Sequence, residues 1–266
     1  MTEFANKYGP YAVVTGASAG IGEEFARQLA QRGVNLVLVA RRKDKLVELA
    51  ESLSTTFGIA ARPIAMDLLD DDAAERLLRD TEPLDVGLLI PNAGLIDFGP
   101  FLDTEVQKHT DLVLLNSLRP MQLAHRFGSR LARRGRGGVL FVASIVAHQP
   151  VPYEANYAAS KAYVSSLGQS LRAEWRRFGI DVTVLAPGLV NTDMLRDAPV
   201  DTEKLPFPTL DPPAIVTAAL NGLGKKAVVI PGATNWLTDV TLKHLVPRWV
   251  VPKLLAPITR RAFVAR

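Results

Sequence analysis

Tyr11-Ala12-Val13-Val14 is a short apolar run that ends in Thr15-Gly16-Ala17-Ser18-Ala19-Gly20-Ile21-Gly22, and from Glu23 to Arg32 apolar residues recur at helical spacing, with Phe25, Ala26, Leu29 and Ala30 on one face. Strand, glycine-rich turn and helix start follow one another. Glycine opens backbone conformations of positive φ and lets the chain approach a pyrophosphate closely, while free amides and the dipole at a helix N-terminus attract its negative charge. A chain with this junction is constrained to a layered strand-and-helix fold that can cradle a phosphate. The spacing Gly16-x-x-x-Gly20-x-Gly22 is neither G-x-G-x-x-G nor a P-loop, which needs Gly-Lys-Ser/Thr. A plain glycine turn is the alternative reading.

The rest of the chain repeats the same alternation. Strands are expected near 11 to 15, 35 to 40, 62 to 66, 86 to 90, 138 to 143, 181 to 186 and 227 to 230, with helices between them, the longest from Glu154 to Phe178. Hydrophobic residues make up 48% of the 266, enough to bury a sheet covered on both faces, and no Pro/Ser-rich linker divides the chain. The expectation is one domain spanning residues 1–266. Its fold class is α/β, a doubly wound parallel sheet of about seven strands with ligand at their carboxyl ends.

A second cluster carries chemistry. Tyr157 and Lys161 stand four residues apart in Asn156-Tyr157-Ala158-Ala159-Ser160-Lys161, and Ser144 follows the apolar run Val139 to Ala143. On a helix such a spacing brings phenol and ammonium to one face, and a nearby cation lowers a phenol's pKa from its ordinary value of about 10. A serine at a strand end can hold a substrate oxygen while the tyrosine moves a proton to or from it. The alternative is an amphipathic helix with both side chains at its surface.

With these motifs in register, the chain resembles the short-chain dehydrogenase/reductase family from about Tyr11 to Gly232. Thr15 to Gly22 matches its cofactor motif. Asp67-Leu68 follows the third strand, Asn92-Ala93-Gly94 the fourth, and Asn116 lies in the next helix. Pro187-Gly188, with Val190 and Thr192 beyond, matches the segment flanking the nicotinamide. The resemblance implies a Rossmann-like sheet of order 3-2-1-4-5-6-7 and a catalytic tetrad of Asn116, Ser144, Tyr157 and Lys161. It also implies cofactor contacts at Gly16, Ser18, Gly20, Ile21 and Gly22. Asp67 would bond the adenine amine beside the Leu68 backbone, Asn92 would brace the sheet beside the cofactor, and Lys161 would also hold the nicotinamide ribose. Asn116 would hold a water linking Lys161 to solvent. The chain departs from the pattern at Pro91, where an Asn is common, and at Ala19, where many phosphate-selective members carry Arg or Lys.

The second strand, Asn35 to Ala40, ends in Arg41-Arg42-Lys43. A carboxylate there would accept from an adenosine ribose 2′-hydroxyl, whereas guanidinium groups pair with a 2′-phosphate. NADP(H) is therefore favoured over NAD(H), with Arg41 the main contact and Arg42 or Ser18 assisting. Solvated charges opening a helix are the alternative, at an end where the dipole disfavours cations.

The segment 188–211 carries Met194, Leu195, Leu205, Pro206, Phe207, Pro208 and Leu210 before Asp211-Pro212 restarts a helix, and reads as a substrate lid. With Leu95, Ile96, Ile145, Val146 and Tyr153 it points to a small hydrophobic carbonyl or alcohol substrate of lipid-, acyl- or steroid-like character. Residues 236–266 form a basic, amphipathic C-terminal extension with no acid after Asp239. That tail can pack over the pocket, meet another subunit or rest peripherally on an anionic membrane.

Net charge is +4, but the basic residues are not interleaved with aromatics as in a nucleic-acid surface, so no nucleic-acid partner is expected. Arg130, Arg133, Arg134 and Arg136 cluster at a helix C-terminus, where the dipole favours them. The four histidines have no metal-like spacing, and His148 either touches substrate or serves the loop after Ser144. Absence of cysteine excludes disulfides and thiol catalysis and suits a reducing compartment. With no secretory apolar segment at Met1 to Tyr8, a cytoplasmic location is expected. Family members are commonly homodimers or homotetramers. Two other functions stand beside the oxidoreductase reading. A catalytically silent NADP-binding regulator or scaffold would not need the full tetrad. A sugar-nucleotide epimerase or dehydratase would show a different glycine spacing and a larger C-terminal domain.

Overall fold

Buried apolar runs of Val, Leu and Ile make parallel strands, because only a sheet covered on both faces hides such runs completely. In the computed structural model, which describes residues 2–263, seven such strands form one parallel sheet. They are β1 (Tyr11–Thr15), β2 (Asn35–Ala40), β3 (Ala61–Ala65), β4 (Val86–Ile90), β5 (Gly137–Val142), β6 (Ile180–Leu185) and β7 (Val228–Val229). Their order is β3-β2-β1-β4-β5-β6-β7. The Rossmann-like order implied by the resemblance is the observed one, and strand bounds fall within a residue of those expected. Pro63 lies in β3, at the sheet edge, where a missing backbone donor is tolerated.

Eleven α-helices are described: α1 (Glu3–Tyr8), α2 (Gly20–Gln31), α3 (Lys43–Phe57), α4 (Ala73–Asp80), α5 (Val106–Val113), α6 (Arg119–Arg134), α7 (Ala155–Trp175), α8 (Asp193–Arg196), α9 (Pro212–Gly222), α10 (Ala233–His244) and α11 (Val251–Ala262). One face of the sheet buries Val14, Leu36 and Leu38 against Phe25, Leu29, Leu46 and Ile215 from α2, α3 and α9. The other buries Val13, Val37, Leu89 and Phe141 against Leu77, Leu123, Phe127 and Val164 from α4, α6 and α7. Each such side chain contributes roughly 1.5–3 kcal/mol of burial.

Three local features place the site. A π-helical turn, Leu114–Leu118, joins α5 to α6 and turns Asn116 inward. Asp211 does occupy the N-cap position of α9, but its carboxylate makes no cap bond and accepts from the Asn191 side chain at 3.1 Å. The arginines ending α6 do more than offset a dipole. Arg130 donates to the carbonyls of Thr81 and Leu84, and Arg134 to that of Gly9 and to Asp85, tying β4 to its neighbours.

Candidate active site

At the end of β1 the chain turns through Gly16 at φ 67°, and a side-chain carbon there would stand 2.9 Å from Ala93 Cα. Gly22 needs its missing side chain for a different reason: a Cβ would meet the Gly16 carbonyl oxygen at 2.2 Å. Asn92 locks the junction from β4, its Nδ2 donating to the Thr15 carbonyl at 2.9 Å. The Thr15 hydroxyl, first in the matched motif, accepts from both Asn92 N and Ala93 N at 3.0 Å. Helix α2 then begins behind Ala19, which supplies no capping side chain, so its first amides stay free beside the cavity. Thr192 closes over this turn, its Cγ2 lying 2.9 Å from where a Gly20 Cβ would be. A tight glycine wall with free amides is the donor set that a pyrophosphate requires.

At the tip of β2 the structure reorders the two arginines. Arg42 donates to Ser18 Oγ at 3.0 Å and to the Ser18 carbonyl at 3.0 Å, fastening the basic tip to the glycine turn. Arg41, expected as the main contact, is 68% exposed and among the described residues reaches only Asp67, at 3.9 Å. Asp67 itself accepts from Leu69 N at 3.0 Å. Arg119, which no motif singled out, is buried behind this loop and donates to the carbonyls of Leu68 at 2.6 Å and Asp70 at 2.5 Å. Burial lowers its guanidinium pKa.

The chemical groups meet at the carboxyl end of β5. Ser144 takes extended backbone, φ −161°, ahead of a short 3-10 turn, and its hydroxyl stands beside the Tyr157 phenol. Lys161, buried, donates to the Val142 carbonyl at 3.1 Å, and its Nζ lies 5.7 Å from the Tyr157 ring centroid. Burial pulls this ammonium down to about 8. The phenol behaves opposite to the expectation that Lys161 lowers it. Burial, then the carboxyl of Glu154, push it above its ordinary value, and the Ser144 hydroxyl opposes them. Asn116 spends its side chain on protein: Nδ2 donates to the Leu95 carbonyl at 2.8 Å and to Ser160 Oγ at 3.1 Å, and Oδ1 accepts from Leu95 N at 2.8 Å. It thus fixes the strand-end loop beside Gly94.

One cavity of about 740 Å³ runs from Arg42 past the glycine turn to Tyr157. It is lined by every expected site residue except Gly22 and Asn116, which stand behind its wall. Pro187, Gly188 and Val190 form its floor together with Asn92, Ala93 and Gly94. Beyond Tyr157 the lining turns apolar, with Leu95, Ile96, Phe98, Val146, Val151, Met194, Leu195, Leu205 and Phe207.

The 188–211 segment contains α8 and a 3-10 turn, and its Val200 bridges Phe263 of the tail. Leu242, Leu255, Ile258 and Thr259 of that tail line the cavity, so α10 and α11 pack over the pocket. Residues 264–266 of the expected amphipathic tail lie outside the described residues. His148 finds its partner here: Nδ1 and Asp239 Oδ1 are 2.5 Å apart and both side chains are buried. Among the described residues no helix is long and apolar enough to cross a membrane.

Comparison with known proteins agrees with this geometry. A family model described as short chain dehydrogenase matches residues 10–203. The very-long-chain 3-oxoacyl-CoA reductase of Neurospora crassa is 36% identical over 252 residues, covering 92% of this chain and 73% of that protein. A solved 7beta-hydroxysteroid dehydrogenase superposes with a TM-score of 0.87 at 28% identity, covering 96% of this chain and all of that one. A short-chain dehydrogenase from Sphingobium yanoikuyae, solved in complex with NADPH, gives 0.79 at 31% identity over 89% and 94% of the two chains.

Proposed function

The chain belongs to the short-chain dehydrogenase family, and we propose that within it the protein is an NADP(H)-dependent oxidoreductase acting on a hydrophobic ketone or secondary alcohol of lipid-, acyl- or steroid-like character. The observation that carries this reading is the meeting of Ser144, Tyr157 and Lys161 in the wall of one cavity that runs from a phosphate cradle to an apolar pocket. Bound nicotinamide supplies the hydride for reduction or receives it in oxidation.

In this reading the chain's own residues do the following. The free amides at Gly20 and Ile21 hold the pyrophosphate beside Gly16 and Gly22, and Arg42, Ser18 and Arg41 hold the 2′-phosphate. Asp67 and Leu68 face the adenine, while Asn92, Ala93, Gly94, Pro187, Gly188, Val190 and Thr192 flank the nicotinamide side. Ser144 orients the carbonyl oxygen and Tyr157 gives it a proton as the carbon gains hydride; in oxidation Tyr157 takes the proton back. Lys161 holds the ribose, and Asn116 steadies the loop that faces it. The 188–211 segment acts as the lid and the tail as its outer cover.

The reductase relatives and the NADPH-bound neighbour support the substrate class and cofactor choice. Absence of cysteine supports a cytoplasmic setting. The exposed apolar side chains Val106, Val113, Leu118 and Tyr163 on α5 to α7 support a homodimer or homotetramer, and sedimentation velocity returning a monomer would remove that part. The test of function is the fall in nicotinamide absorbance with NADPH or NADH over a panel of hydrophobic ketones, beside Tyr157→Phe. The variant is expected to lose on the order of 10²–10⁴-fold in turnover while still binding NADPH.

A further inference from the structure

The proposed chemistry leaves several polar side chains of the same cavity without a task, Glu154 and Gln149 among them. Glu154 is 8% exposed and Gln149 9% exposed, and both line the pocket on the substrate side of Tyr157. The Glu154 carboxyl has no hydrogen bond or ion pair among the described residues, and Gln149 Oε1 is buried without a partner. Stripping such groups of water is costly unless something replaces it, which makes each a place where a ligand atom is wanted.

The backbone is bent to present them. Tyr153 holds φ 65°, a left-handed conformation that non-glycine residues rarely adopt, and is fixed there by the Gly99 amide donating to its carbonyl at 2.8 Å and by its ring against Phe263. The next residue, Glu154, occupies the N-cap position of α7 yet makes no cap bond, its side chain being turned to the cavity instead. It lies one turn before Tyr157, near enough for its charge to bear on the phenol.

Glu154 is a donor rather than a charge at neutral pH. Burial, and then Asp97, which itself pairs with His109 at 3.2 Å, raise its carboxyl to about 8. An anionic substrate group at this end would meet Asp239, which lines the cavity, with Asp97 close enough to bear on Glu154.

We propose that Glu154 and Gln149 form a second recognition point, and that the preferred substrate is a hydrophobic ketone bearing a further uncharged carbonyl or hydroxyl oxygen close to the reacting carbonyl. The Glu154 hydroxyl donates to that oxygen, and where the oxygen is a hydroxyl its hydrogen goes to Gln149 Oε1. This rests on the oxidoreductase reading above and adds a selectivity to it.

The experiment compares a neutral 3-oxo ester, the plain alkyl ketone of equal length and the 3-oxo carboxylate, each with NADPH, in the wild type, Glu154→Leu, Glu154→Gln and Gln149→Leu. The wild type is expected to prefer the ester over the ketone by on the order of 10-fold or more in kcat/KM, with the carboxylate poorest. Glu154→Leu brings the ester-to-ketone ratio down toward unity, and Glu154→Gln, whose amide still donates, keeps most of it. A ratio in Glu154→Leu within about twofold of wild type overturns the proposal. Should that variant fold poorly, a 3-hydroxy ketone read against the plain ketone in Gln149→Leu decides: an unchanged ratio there overturns it equally. If no ketone is turned over by the wild type, the oxidoreductase reading itself fails; if ester and ketone are reduced alike, only this inference does.

Discussion

At the residue scale the site is built from groups held away from their ordinary ionisation. Native Lys161 gives up its proton near pH 8, whereas in the unfolded chain it does so near 10.5. Between those values the unfolded state binds more protons, so stability rises with pH there, and below pH 8 the cost of burying the charge is fully present. That cost is about 3 kcal/mol at neutral pH, and Lys161→Met should therefore raise Tm at pH 7 while removing activity. Thermal unfolding at pH 7 and pH 10.5 checks it: the gain should shrink at the higher pH, and a variant less stable at pH 7 would contradict the sign. The serine, tyrosine and lysine of this site were legible in the sequence because Tyr-x-x-x-Lys is a single helical turn and Ser144 ends an apolar strand. Glu154 was not, since nothing in the sequence shows that Tyr153 turns backward and aims the next carboxyl inward.

At the scale of elements, strands and their order were readable because each apolar run is bounded by glycine, proline or a polar turn. The fastening of loops was not. Arg119 reaches back to the Leu68 carbonyl and His148 to Asp239 across stretches of chain that no local pattern links. The β2 tip shows the same limit: its basic character was plain, but only the fold shows Arg42 on Ser18 and Arg41 in solvent. Arg42→Ala should raise the KM for NADPH by roughly 10-fold, the worth of one charge-assisted hydrogen bond, and change that for NADH little. Equal losses with both cofactors would mean that Arg42 merely shapes the glycine turn.

Across the whole molecule, a rigid doubly wound sheet presents one long cavity, and α10 with α11 close its apolar end. Composition announced an amphipathic tail without saying what its apolar face would meet; the structure brings Leu242, Leu255 and Ile258 to the pocket. The buried His148–Asp239 contact ties that cover to the turn following Ser144. Asp239→Ala should cost about 2–3 kcal/mol of stability and raise KM for bulky ketones more than for NADPH. Steady-state kinetics with a bulky and a small ketone check it, and equal KM changes for both would show that the tail does not cover the substrate.

Proton transfer by Tyr157 is the step on which the proposed function turns most directly. We would follow oxidation of NADPH by hydrophobic ketones in the wild type and in Tyr157→Phe, with NADPH binding measured on both by fluorescence. NADPH-dependent turnover that vanishes in a variant still binding the cofactor is the expected result. Binding without turnover in the wild type, or turnover that survives the loss of the phenol, would contradict it.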